Sequence, residues 1–169
     1  MRRFLDLLYD ASAWLAALCM VGILVMVLLS ITGRQLGFLV PGTDAYAGYF
    51  MAAAAFLALA HTLKKNEHIR VTLILSRLGV RGRRALELWS LSAAVLLSGL
   101  LAFYAVRLVW HSHLFNDVST ANDATPLWIP QLAMAAGAVI FFIAFVDEWV
   151  QELRGTRSHA TSEELLRNE

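Results

Sequence analysis

Four long stretches of the chain, 11–33, 45–63, 88–106 and 124–146, contain no Asp, Glu, Lys or Arg. At 1.5 Å per helical residue, runs of 19 to 23 residues reach about 28–35 Å, against a hydrocarbon core of about 30 Å. Each run is predicted to cross a membrane once. Backbone in lipid must satisfy its own hydrogen bonds, so the spans are helices; no ten-residue alternation suggests a barrel. Arg2 and Arg3 precede the first run as they would a secretion signal. That run exceeds the usual signal core of about 7–15 residues and lacks a following small-residue cleavage site, so it is expected to be retained. The expected fold is an all-α membrane protein with four transmembrane helices. Residues 1–149 form one transmembrane domain and 150–169 a polar cytoplasmic tail.

Composition agrees with bilayer as the solvent. The chain is 59% hydrophobic and 16% charged, where a soluble domain carries about one quarter charged residues. Cys19 is the single cysteine, which excludes an intrachain disulfide or a cysteine-based metal cluster. It sits in an apolar run and reads as a small hydrophobe.

Charge placement orients the spans. Lys64, Lys65, Arg70, Arg77, Arg81, Arg83 and Arg84 lie between helices two and three. With Arg2, Arg3, Arg154, Arg157 and Arg167 they put twelve basic residues on one side, against Arg34 and Arg107 on the other. The positive-inside rule then places both termini and the middle loop in the cytoplasm. Trp14, Trp89 and Trp149 fall near the inner boundaries, and Trp110 and Trp128 near the outer ones, where amphipathic rings favour the headgroup level. The positive charge is accounted for by topology, so a nucleic-acid partner is not expected.

The middle loop interleaves apolar and basic residues from His68 to Leu78. It is predicted to be a short amphipathic segment in the inner interface, with membrane lipids as its partner. A loop that serves only to carry positive charge is the alternative. Lys64, Lys65, His68 and Arg70 are the candidate anchors to headgroups. Helices two and four are rich in small residues, among them Gly48, Ala52, Ala55, Ala133 and Gly137. Small residues permit close backbone approach in lipid, so these five are candidates for packing within the chain or against a subunit. On the outer side, Thr125-Pro126 reads as an N-cap and first-turn proline for helix four, with Pro130 as the site of a bend. Thr43 or Asp44 would cap helix two.

The chemistry that is missing narrows the function. Ion-coupled carriers usually keep an ionisable group in the membrane, and none of the four spans holds a carboxylate, lysine or arginine. A complete transporter is therefore not expected. No phosphate-binding loop, nucleophile elbow or zinc motif occurs, so the chain does not read as an enzyme. A haem-binding or structural membrane anchor of a redox enzyme is the competing reading. Bis-histidine haem needs two imidazoles at one depth. His61 and His68 fall at the inner side and His111 and His113 at the outer, so one haem cannot join them. No cofactor is expected.

Two groups of residues resemble a known family. The first is Gly33-Arg34-Gln35-Leu36-Gly37 with Pro41 and Asp44, running on to His61, Lys64, Lys65, Asn66, Glu67, His68, Ile69, Arg70 and Val71. The second is Ser119, Pro126-Leu127-Trp128-Ile129-Pro130-Gln131 and Gly137. Together they are similar to the DctQ family, the small membrane subunits of TRAP (tripartite ATP-independent periplasmic) transporters. Asp44 stands alone before Ala45, where many members carry paired acids. The resemblance implies a scaffold subunit in the bacterial inner membrane. Its partners would be a large membrane subunit, which carries the sodium and substrate sites, and a periplasmic protein that captures organic acids. Arg34, Asp44, Arg107, Asp117 and Asp123 at the outer surface are the candidate docking residues; ordinary caps and interfacial charges are the alternative for each.

Overall fold

A computed structural model of the chain describes residues 2–38, 40–64, 80–121 and 123–154. Four helices occupy nearly all of them: α1 (Arg2–Leu36), α2 (Thr43–Lys64), α3 (Val80–Leu114) and α4 (Trp128–Leu153). All four are long and apolar enough to cross a membrane. The residues of the expected interfacial segment between α2 and α3, including Lys65, His68 and Arg70, lie outside the described residues.

Helix order in space differs from order in sequence. α2 and α4 pack side by side at the centre, α1 lies against α2, and α3 lies mainly against α4. Contacts fix the directions. Asp10 meets His61 and Gly22 meets Phe50, so α1 and α2 are antiparallel. Ser92 meets Trp149 and Gly99 meets Phe142, so α3 and α4 are antiparallel too. Phe56 meets Gly137 and Lys64 meets Asp147, so the central pair run parallel. The start of α1, the end of α2, the start of α3 and the end of α4 thus share one end of the bundle, the terminal end. The two short connections lie at the far end.

The core is built from small residues because lipid supplies no hydrophobic drive for helices to associate, leaving close packing to hold them. Ala53, Ala54, Ala60, Ala102, Ala105, Ala135, Ala138 and Ala144 are all buried. Aromatic rings fill the gaps between these methyl groups. Phe50 lies over Gly22 and Phe142 over Gly99, with a virtual Cβ 3.2 and 3.1 Å from the nearest ring atom. At Gly137 the backbone itself of α2 comes close, with the Phe56 carbonyl carbon 2.6 Å from where a Cβ would stand. The long apolar side chains of α1 and α3, such as Leu18, Leu24, Leu97 and Phe103, are exposed on the bundle surface and suit lipid.

Local sequence sets the helix ends. Gly37 has φ +75, and the Phe38 N–H donates to the Gly33 carbonyl at 3.0 Å. This is a Schellman stop for α1, with glycine in the left-handed position. Helix four corrects an expectation. It starts at Trp128 rather than at Pro126, and Leu127 at its N-cap makes no side-chain cap bond. The Leu127 N–H is drawn instead to the Asp117 carbonyl at 2.9 Å, and Pro126 pairs with Val118 in an isolated bridge. Pro130 then falls at the third helical position, where no intrahelical N–H bond is lost, and no bend needs to be invoked. α1 and α3, at 35 residues each, are about 52 Å long by helical rise and outrun the charge-free stretches.

Candidate functional site

At the far end, the three chain segments around the start of α2 enclose an open cleft of about 330 Å³. Ser30 and Arg34 of α1, Phe38, Val40 and Pro41 of the first connection, Thr43 and Asp44 of α2, and Ala121 of the second connection line it. Arg34 and Asp44 are both exposed. Gly42 has φ +83 and its carbonyl accepts the Tyr46 N–H at 3.0 Å, so the turn of α2 begins there. Thr43 is buried, and Asp44 lies inside the first turn, where its charge complements the positive end of the helix dipole.

The α3–α4 connection is stapled onto this end of α2. Ser119 N–H donates to the Thr125 carbonyl at 2.8 Å, which closes the connection on itself. The Tyr49 hydroxyl donates to Asp123 Oδ2 at 3.0 Å, and the Tyr46 hydroxyl lies 3.1 Å from Thr125 Oγ1. Asp123 also sits directly over Gly42, whose virtual Cβ would be 2.8 Å from the Asp123 Cβ. Gly42 is therefore required by both its φ and its neighbour. Hydrogen bonding from Thr125, and further from Ser119 and Tyr49, holds the Asp123 carboxyl down at about 2, against an opposing effect of burial.

A depressed carboxyl pKa stabilises the fold above the group's unfolded value and ceases to do so as pH falls through the folded one. The clasp is accordingly intact above about pH 4 and released as pH approaches 2. Pepsin, active across this window, is expected to cut the 115–127 connection readily at pH 2 and slowly at pH 4. In Asp123→Asn the cutting rate should lose most of this pH dependence; an unchanged profile would remove Asp123 from the clasp.

The outer candidates thus divide. Arg34 and Asp44 share the cleft, and Asp123 adjoins it through Gly42 while binding its own connection. Asp117 is exposed, and its backbone N–H and carbonyl bond to Ser112 and Leu127. Arg107 stands apart on α3, on the opposite flank from α1, with its Nε 3.5 Å from His111 Nε2. Among the packing candidates, Gly137 and the half-buried Ala133 face α2 within the chain, Ala133 against the Ala53–Leu57 cluster. Gly48, Ala52 and Ala55 are exposed along α2, and a Cβ on Gly48 would meet nothing within 4 Å.

The terminal end carries a second cluster that the pattern of residues did not single out. Lys64 Nζ lies 3.0 Å from Asp6 and 3.7 Å from Asp147, and 4.9 Å from the centre of the buried Tyr9 ring. Its ammonium, expected at headgroups, serves carboxylates of its own chain and joins α1, α2 and α4. Glu148 and Glu152 are buried nearby on α4. Among the described residues, His61 ends α2, while His111 and His113 end α3 at the opposite end of the bundle.

Comparison with protein families matches residues 23–155 to the DctQ component of tripartite ATP-independent periplasmic transporters. The chain belongs to the DctQ family. It is a multi-pass membrane protein and a small membrane subunit of a TRAP transporter. No curated protein matches it. The matched stretch includes the Schellman stop at Gly37, the cleft and the stapled connection of this DctQ chain. The Gly33–Gly37 string that carries part of the resemblance is thus a helix terminus followed by one wall of the cleft.

Proposed function

We propose that this DctQ subunit is the stationary scaffold of a sodium-driven TRAP transporter for organic acids. It lies in the bacterial inner membrane with its terminal end in the cytoplasm. It pairs with the large membrane subunit there, and its far end helps to dock the periplasmic substrate-binding protein. The family match carries this reading. A second feature supports it: no carboxylate, amine, guanidinium or imidazole occurs in 11–33, 45–60, 88–106 or 128–146. The chain's own interior therefore offers no charged group to bind a coupling ion or an anionic substrate, and that work falls to the partner. The basic middle segment and chain ends supply the orientation.

In docking, Arg34 and Asp44 are the exposed charges at the cleft, and Asp123 acts through the connection it holds. The exposed Gly48–Ala52–Ala55 edge of α2 is the candidate contact with the large subunit. Sodium-gradient uptake in vesicles tests the reading. Vesicles holding both membrane subunits, supplied with the binding protein, should accumulate substrate; vesicles holding this chain without the large subunit should not. Arg34→Glu combined with Asp44→Lys should reduce uptake at limiting binding protein by about tenfold, the scale of two lost rim charges. Uptake by this chain alone would overturn the scaffold role. Unchanged uptake in the double variant would remove the cleft from docking.

A further inference from the structure

The terminal end also carries an open groove of about 350 Å³ between α1 and α2, lined by Asp10, Ala13, Trp14, Ala17 and His61. We propose that it binds one phospholipid with an amine headgroup, of the phosphatidylethanolamine type, in the leaflet on the side of the chain ends. The proposal requires that α1 and α2 cross a bilayer and does not depend on the scaffold role.

Shape and charge favour that occupant together. Ala13 and Ala17 are four apart on α1, so two methyl groups form a trough one turn long. Trp14 stands beside it, 74% exposed, at the headgroup depth that indole rings favour. Leu18 and Val21, also exposed, continue the apolar surface along α1 toward the bilayer centre, where an acyl chain would lie. The polar mouth is formed by Asp10 and His61, with His61 Nδ1 3.7 Å from Asp10 Oδ1. The Asp10 side chain keeps 66% of its exposure, against 25% for His61, so its carboxylate has room for a second cationic partner. A lipid ammonium fits that carboxylate, and the phosphate, joined to it through a two-carbon linker, fits an imidazole N–H. An anionic headgroup with no amine would meet Asp10 as a like charge. Among the described residues, Lys64 is directed to Asp6 and Asp147.

The full chain, placed in nanodiscs of equal parts phosphatidylethanolamine, phosphatidylglycerol and phosphatidylcholine, is extracted gently and its retained lipids are counted by native mass spectrometry. Phosphatidylethanolamine should be retained about threefold over each of the other two lipids, the scale of one half-exposed ion pair. Asp10→Asn and Ala13→Leu should each return it to the bulk share, whereas Trp89→Phe on α3 should not. Phosphatidylethanolamine with brominated acyl chains provides a second reading, because Trp14→Phe should remove more quenching with it than with brominated phosphatidylglycerol. Equal retention of the three lipids would overturn the proposal, as would a phosphatidylglycerol excess or an unchanged excess in Ala13→Leu. So would a photo-crosslinker at Ala17 that, in the complex with the large subunit, captured protein rather than lipid.

Discussion

Gly137→Leu is expected to separate α2 from α4 and to leave little folded chain in mild detergent. The Phe56 carbonyl carbon and oxygen lie 2.6 and 2.7 Å from a virtual Cβ on Gly137. Those atoms belong to the α2 backbone and cannot rotate away as a side-chain tip would. Even Gly137→Ala must push the two central helices apart, at a cost of about 1–3 kcal/mol by analogy with overpacked cores. A leucine adds three further carbons to the same contact. Because α1 lies on α2 and α3 mainly on α4, parting the central pair divides the bundle into two hairpins. Gly48→Ala is the matched control: its Cβ meets nothing, and alanine gains up to about 1 kcal/mol of helix propensity. Unfolding in a denaturing-detergent titration, followed by tryptophan fluorescence, should place Gly137→Ala well below the parent chain and Gly48→Ala level with or above it. Equal midpoints would mean that α2 and α4 are not in backbone contact.

Lys64→Glu should give the next largest loss. Lys64 is the cation between Asp6 on α1 and Asp147 on α4, whose side chain is only 19% exposed. Removing the charge as Lys64→Met leaves these acids facing one another near Glu148. The cost should be on the order of 1 kcal/mol, because the Lys64–Asp6 pair is half in solvent and screened. Reversing the charge adds direct repulsion at about 4 Å. At an intermediate effective dielectric that raises the loss to about 3 kcal/mol. Adding salt should recover part of the Lys64→Glu loss and leave Gly137→Ala unmoved. A Lys64→Glu chain as stable as Lys64→Met would show that the three helix ends are not electrostatically joined.

The four spans were legible because absence of charge over 19 or more residues has one physical solution in lipid. Helix boundaries were less so. α1 and α3 continue past their apolar runs, because helical hydrogen bonding does not stop where hydrophobicity does. The start of α4 was misplaced because Thr125-Pro126 is locally a good cap. A non-local pairing, Leu127 to Asp117 and Val118 to Pro126, overrides it. Ala-rich composition correctly suggested close packing by α2 and α4. It could not say which small residues faced inward: Gly137 meets backbone, while Gly48, Ala52 and Ala55, on the same kind of run, face out. Gly22 and Gly99 passed unremarked, since the phenylalanines that fill them come from other helices. Lys64 was read as one more basic residue of a topogenic loop, since Asp6 and Asp147 are far from it in sequence. Of the five charges read as docking candidates, Arg34 and Asp44 line one cleft. Arg107 had the same sequence credentials and lies on the other flank.

A fixed partner of a larger membrane subunit should not purify alone. Affinity purification of the tagged chain from its own membranes, in mild detergent, tests it most directly. One large, many-spanning subunit is expected in a constant ratio to this chain through size-exclusion chromatography. Gly48→Leu, which lies on the exposed edge of α2 and leaves the bundle folded, should reduce that recovery severalfold. A chain that purifies without any such subunit, and that shows the absorbance of a bound haem, would contradict the account.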